Sequence, residues 1–454
     1  MKYLSIIFFL TFVHFLNISA QQFEKVVPGI DCVMLTIPGN PATTAAVTWQ
    51  TALEDTISKG QLTIADASPF FVNEVKTFTG SHKQTLSALS TNFYTSHRIV
   101  FQGLKPETQY AYRVGNGNHW SEWFHFTTAS EESKPFSLLY FGDIQKDILS
   151  LGARVIRQAY THFPDSRFMI FAGDLVDHST DSEWQEFFLA GGWIFGMVPS
   201  VPTPGNHEYY KLAGQEHRPF SSQWNQIFTL PANGPSTMFE GRVYYIDYQG
   251  VRFISIDSPD MDYNKENVTI LKWLDQTLAS NPNRWSVVFT HYPIYSCSQG
   301  RGNGDYSDEI RQILEKYGTD LVLQGHDHTY CRGQNLIKTG DDCKNPPMYV
   351  VSVAGSKMYG INASLWADRV ASETQLYQHI TFNEDTLNFK TFTATGELYD
   401  AFKLIKNDRS INQVVENPDI ETIPERITIQ KKRIESYTSD ELKKIELRIK
   451  GSAK

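Results

Sequence analysis

Cysteine is scarce: 4 occur in 454 residues, too few for a disulfide scaffold. No dense stripe of Lys and Arg runs through the body of the chain, and the formal net charge is -9. Binding to nucleic acid through phosphate neutralisation is therefore not expected. Beyond the N-terminus no apolar run reaches the roughly 20 residues needed to cross a bilayer, and no internal repeat is visible. Charged residues make up 20% against 41% hydrophobic, which excludes a disordered chain. Aromatic residues, by contrast, are plentiful. The 29 Phe, 22 Tyr and 9 Trp suffice for a large core, and the length suits two domains.

The first 20 residues read as a secretory signal. Lys2 gives the positive start, Leu4 to Leu16 is almost entirely apolar, and Ile18-Ser19-Ala20 offers a small residue before polar Gln21 and Gln22. The expectation is an exported protein (periplasmic, cell-surface or extracellular) without a transmembrane segment in its mature chain. A disulfide can persist there. Cys331 and Cys343 flank a Gly-containing segment and are the best candidate pair, while Cys32 stands far off as a free thiol. Four cysteines allow three full pairings, and spacing alone does not choose.

Residues 22–130 read as an all-β sandwich. Apolar and polar residues alternate in Ala46 to Gln50, His97 to Phe101 and Tyr110 to Val114, and a turn is marked by Asn and Gly at 115–118. The stretch Gly103 to Tyr110 resembles the tyrosine-bearing corner of fibronectin type III modules, and no chemistry is assigned to this domain. From about 135 the pattern changes. Short apolar runs (Phe136 to Tyr140, Phe168 to Ala172, Val251 to Ile256, Ser286 to Phe289, Asp320 to Leu323) read as buried strands. Helical patterns over Ile148 to His162, Lys265 to Ala279 and Asp308 to Tyr317 lie between them. Strands alternating with helices indicate an α/β domain, placed here at residues 135–406. Residues 407–454 form a C-terminal tail, partly helical, with a helix start at Ser439-Asp440-Glu441. None of the motifs described next lies in that tail, so it is expected to pack peripherally and to leave metal binding and turnover to the rest.

Most of the apolar strands run into a residue able to bind a metal. The motifs are Gly142-Asp143-Ile144-Gln145, Gly173-Asp174-Leu175-Val176-Asp177, Gly205-Asn206-His207-Glu208, Val288-Phe289-Thr290-His291 and Gly325-His326-Asp327-His328. Open α/β sheets carry their sites at the carboxyl ends of strands. Carboxylates, imidazoles and one amide oxygen suit two borderline-hard metals. A lone Gly-Asp is more often a turn, and a lone His is more often a satisfied polar group. Five such pieces in order are very hard to obtain by chance.

That order resembles the calcineurin-like metallophosphoesterase superfamily and, within it, the two-domain purple acid phosphatases, over roughly residues 25–405. The resemblance implies a four-layer α/β sandwich, two mixed sheets flanked by helices. It implies a first metal on Asp143, Asp174 and His328 and a second on Asp174, Asn206, His291 and His326, with Asp174 bridging and His207 contacting the substrate phosphate. Two departures stand out. The family's tyrosine belongs three residues after Asp174, where this chain has Asp177. Related members use Asp-x-His in the first motif, where this chain has Gln145. A water, Asp177 or the Gln145 oxygen is left to complete the first metal. The expected cofactors are two divalent ions, from Fe, Mn or Zn, rather than a tyrosinate-bound ferric ion. The other departure follows His291, where plant members carry two histidines for the substrate and this chain reads Tyr295 to Gly304. Arg301, aided by Asn303, is the candidate phosphate clamp.

The expected reaction is hydrolysis of a small phosphate monoester by in-line attack of a hydroxide bridging two metals. His207 assists the leaving oxygen, and Glu208 orients its ring. A phosphodiesterase or nucleotide pyrophosphatase on the same metals is the near alternative. A non-catalytic phosphate-binding protein with a degraded first site is the distant one.

Overall fold

In the computed structural model, residues 29–452 are described, apart from 87–92, 212–213, 215–216, 303–305, 337–342, 344, 363–365 and 408–410. The signal segment at 1–20 therefore lies outside the described residues, as does Asn303. Among the described residues no helix is long and apolar enough to cross a membrane.

The N-terminal part is all β, in two four-stranded sheets. Alternating burial drives it: in Phe124–Thr127 the two Phe side chains point in while His125 and Thr127 are half-buried. Trp49, Phe101 and Tyr112 fill the space between the sheets. The Tyr110 hydroxyl accepts the Lys105 amide at 2.8 Å and ties the corner between two strands. This unit docks on the rest of the chain through buried polar contacts. The Tyr112 hydroxyl donates to the Gly196 carbonyl and the Thr48 hydroxyl to the Ile227 carbonyl, both at 2.6 Å.

The second part is α/β, with two mixed seven-stranded sheets. In the first, Ser200–Pro202, Met169–Phe171 and Phe136–Phe141 run parallel. Leu376–Asn383, Thr386–Thr393, Leu398–Lys406 and Asn412–Glu416 follow antiparallel. In the second, Val251–Ile256, Trp285–Thr290, Leu321–Gln324 and Met348–Val351 are parallel. Every residue of Trp285–Thr290 is buried, as expected of a strand covered on both faces. The sheets pack face to face through Phe136, Phe168, Tyr248, Phe253 and Phe382. Helices Ala153–His162 and Asp181–Gly191 pack beside the first sheet, and Asn267–Ala279 and Ser307–Tyr317 beside the second. Local chemistry sets their ends. Thr180 and Glu183 form a capping box at the start of Asp181–Gly191. Gly318, at φ 62°, ends Ser307–Tyr317.

Two features differ from the sequence reading. Cys331 pairs with Cys297, not with Cys343; Cys32 and Cys343 take no part in a disulfide. The parallel pairing of Trp285–Thr290 with Leu321–Gln324 brings the segments that follow them together, whereas the Cys343 thiol lies 3.9 Å from the Glu315 carbonyl of a helix end. The first sheet also continues beyond residue 406 into Asn412–Glu416. Buried Arg332 fastens that edge, pairing with Asp400 at 2.9 Å and with Glu416 at 2.5 Å. Tyr437 and Ile445 of the tail are buried against Cys297 and Cys331.

Candidate metal centre

Each predicted ligand sits just past the carboxyl end of a parallel strand. Asp143 follows Phe136–Phe141, Asp174 follows Met169–Phe171 and Asn206 follows Ser200–Pro202. His291 follows Trp285–Thr290, and His326 and His328 follow Leu321–Gln324. The turns are tight. Gly173 has φ 85°, and a Cβ there would lie 2.5 Å from the Gly205 amide nitrogen, so only glycine lets these two ligand loops touch. Asp174, His326 and His328 themselves adopt positive φ, at 50°, 70° and 49°. Such strain costs about 1–2 kcal/mol per residue and concentrates where side chains must be aimed.

The side chains converge in two sets sharing Asp174: Asp143, Asp174 and His328, and Asp174, His291 and His326. Within each set the ligand atoms lie within 4.8 Å of one another. Asn206 joins the second set, its Oδ1 3.0 Å from His291 Nε2. Hydrogen bonds behind the ligands fix their ring orientations. His291 Nδ1 donates to the Ala172 carbonyl at 2.8 Å, and His328 Nδ1 to the Lys357 carbonyl at 2.7 Å. That leaves Nε2 of each ring facing the carboxylates, 3.2 Å from Asp174 and Asp143 respectively.

The charges fit a cation. Burial pushes Asp143 up, with Asp174 adding to the effect against His291. Burial also acts against ionised Asp174, yet His291 and His207 more than offset it and hold this carboxyl below its usual range. Burial would lower His291, but Asp174 and Asp143 beside it push it up to about 9. Two carboxylates so deeply buried call for a positive partner. Burial lowers His326 and His328, favouring the neutral imidazole that binds metal. The donor set of carboxylate, imidazole and amide oxygen suits borderline-hard ions.

The remaining predicted residues occupy other places. Gln145 is buried at the first set, but its amide nitrogen faces inward, 2.6 Å from Asp174 Oδ2. Its oxygen is held by Lys357 Nζ at 3.1 Å, so the side chain presents a donor where the sequence suggested an acceptor. Asp177 belongs to neither of the two sets that share Asp174; its carboxylate pairs with Lys146 at 2.8 Å and lies 3.4 Å from His207 Nδ1. His207 donates from Nδ1 to the Asp177 carbonyl, leaving Nε2 3.8 Å from Asp174 Oδ2. Among the described residues the hydrogen bonds of the Glu208 side chain go to the main chain and not to the His207 ring. Its carboxylate accepts the amides of Asp174 at 3.0 Å, Leu175 at 2.9 Å and Gly205 at 2.6 Å, which binds the second and third motifs together. Arg301 reaches the centre, its guanidinium against His326 Nε2 and 3.2 Å from the Tyr359 hydroxyl.

Sequence reasoning missed Lys357, Tyr359 and Arg433. The first two sit in a loop whose Gly355 and Gly360 were its only signal. Arg433 comes from the tail that was expected to stay peripheral, and lies over the Tyr359 ring at 5.5 Å.

Residues 136–330 match the Calcineurin-like phosphoesterase family, and residues 30–128 match the Purple acid Phosphatase, N-terminal domain family. Purple acid phosphatase 21 of Arabidopsis thaliana is 28% identical over 282 residues, covering 59% of this chain and 61% of its own length. Acid phosphatase type 7 of Homo sapiens is 27% identical over 331 residues, 66% of this chain and 70% of its own. The fold matches that of a purple acid phosphatase from yellow lupin (Lupinus luteus) seeds, with a TM-score of 0.70 at 18% identity, covering 84% of this chain and 75% of that one. The chain thus joins a calcineurin-like phosphoesterase domain to the N-terminal domain of the purple acid phosphatases, and purple acid phosphatases are among its relatives in sequence.

Proposed function

We propose that the protein is an exported, dinuclear-metal phosphohydrolase acting on phosphate monoesters. The observation that carries this reading is the convergence of two donor sets on one shared carboxylate, Asp174. Asp143, Asp174 and His328 would hold one ion, and Asp174, Asn206, His291 and His326 the other. The metals, when bound, would supply Lewis acidity toward the phosphoryl oxygens and lower the pKa of water. The chain's own groups do the rest. Asp174 keeps the two sets in register. His207 is anchored through Nδ1, so Nε2 is the nitrogen free to donate a proton to the leaving oxygen. The Arg301 guanidinium offers a planar fork to the phosphate oxygens. Glu208 holds the loops bearing Asp174 and Asn206. The apolar N-terminal run supports export, as does the Cys297–Cys331 disulfide.

The test is a panel of Mn, Fe and Zn on the full chain, with an aryl phosphate and its diester analogue as substrates. The reading expects metal-dependent turnover with the monoester preferred. A preference for the diester would move the assignment to a phosphodiesterase. Metal binding without turnover of either would leave a phosphate-binding protein.

A further inference from the structure

Asp327 stands between the ligands His326 and His328 yet belongs to neither donor set. It is fully buried, and a buried carboxylate is costly unless hydrogen bonds repay it. Here the donors all come from one short turn. Asp327 Oδ2 accepts the Ser296 hydroxyl at 2.6 Å, the Cys297 amide at 3.1 Å and the Ser298 amide at 3.3 Å. The Asp327 carbonyl accepts the Ser298 hydroxyl as well. Its Oδ1 has no hydrogen-bond partner among the described residues, so the side chain serves residues 296–298.

That turn leads to Arg301. The Arg301 amide donates to the Ser298 carbonyl at 3.3 Å, and the Gln299 amide to the Gly360 carbonyl at 2.8 Å. The second bond joins the turn to the loop bearing Tyr359, whose hydroxyl the Arg301 guanidinium reaches. Packing does little to hold the backbone on either side of Arg301. A Cβ at Gly300 or Gly302 would meet no atom within 4 Å, and Gly300 has φ 71°. The place of Arg301 therefore depends on the turn before it, which Asp327 holds by hydrogen bonds and the Cys297–Cys331 bridge holds covalently. A chain of contacts thus runs from Asp327, between two ligands, through Ser298 to a guanidinium that closes back on His326.

We propose that Asp327 is a positioning residue for substrate binding: by fixing residues 296–298 it sets the Arg301 guanidinium where it meets the phosphate held at the donor sets. This rests on the phosphohydrolase reading, in which Arg301 grips phosphate, and deepens it. Displacing such a group by about 1 Å can cost up to about 100-fold.

The test is calorimetric binding of inorganic orthophosphate to the metal-loaded full chain, in a cycle of wild type, Asp327→Ala, Arg301→Gln and the double variant, with metal content measured on each by mass spectrometry. Asp327→Ala is expected to keep two ions and to lower phosphate affinity about 10-fold or more. In the Arg301→Gln background the same change is expected to have no further effect, which a merely structural role would not produce. Asp327→Asn keeps a neutral acceptor for the turn and should recover part of the affinity. Where Asp327→Ala does not fold, Ser296→Ala decides, with a loss of about 2- to 5-fold that again requires Arg301. Unchanged phosphate affinity, an equal loss with and without Arg301, or loss of metal in the Asp327 variant overturns the proposal. A wild-type protein that shows this coupling and hydrolyses no phosphoester overturns the hydrolase reading and leaves the positioning role standing.

Discussion

Replacing Glu208 with Gln is a severe test of how the centre is held. The native carboxylate accepts three buried amides, those of Asp174, Leu175 and Gly205. A carboxamide of the same shape keeps one acceptor oxygen. Its least costly orientation places that oxygen on Asp174 and Gly205 and turns the NH2 toward the Leu175 amide, donor against donor. One buried N–H then loses its partner, at about 1–3 kcal/mol, and two charge-assisted bonds become neutral ones, at about 1 kcal/mol each. Relief from burying a charge returns part of this, so a net loss of about 2–4 kcal/mol is expected. The loops that carry Asp174 and Asn206 take the strain, and loss of a ligand's supporting contacts typically lowers metal affinity about 10–100-fold. Chelator competition on the loaded protein and thermal unfolding of the metal-free protein measure the two effects separately. A variant that keeps both its metal affinity and its unfolding temperature would refute the view that Glu208 holds these loops.

Other expectations follow from particular residues. Because Asp177 stands where the family has a ligand tyrosine, and because Tyr209 and Tyr292 donate to Asp257 and Tyr263 at 2.6 and 2.8 Å, the oxidised iron-loaded protein should lack an intense visible charge-transfer band; such a band would show another tyrosine ligating. Removing the Cys297–Cys331 bridge, which spans 34 residues, should cost about 3–4 kcal/mol of stability, while alkylation of the native protein should label Cys32 or Cys343 and spare the bridged pair. Burial lowers His97 from 6.5 to about 4 in the folded chain, so the unfolded chain takes the proton more readily. That contribution to stability is complete above pH 6.5 and is lost as pH falls toward 4, at most about 3 kcal/mol and nearer 1–2 after solvent screening. Unfolding curves of wild type and His97→Gln that run parallel between pH 7 and 4 would contradict it.

The centre was legible in the sequence to the extent that its chemistry demands fixed residue types beside strand ends. Asp143, Asp174, Asn206, His291, His326 and His328 each follow a short apolar strand; parallel pairing sets the first three at the carboxyl edge of one sheet and the last three at that of the other, and the packing of the two sheets brings these edges together, with the His326 amide on Asp143. What depends on backbone amides was not legible. Glu208 looks from its position like a partner for His207, and only the folded turn shows its oxygens taken by main-chain donors. The disulfide was hidden for a related reason: Cys297 and Cys331 are brought together by strand register, whereas Cys343 is nearer in sequence to Cys331 but ends beside a helix terminus. Arg433 carried no local signal at all. Its place over Tyr359 depends on burial of Tyr437 and Ile445, which bends the tail back over the phosphoesterase domain.

The central claim is that one carboxylate serves two metals. Replacing Asp174 with Asn, then measuring metal content by mass spectrometry together with hydrolysis of an aryl phosphate, tests it most directly. The account predicts two ions per chain in the wild type, and in the variant a loss of metal from both sets together with loss of turnover. A variant that keeps two ions and near wild-type turnover, or that sheds one ion and holds the other unchanged, would contradict it.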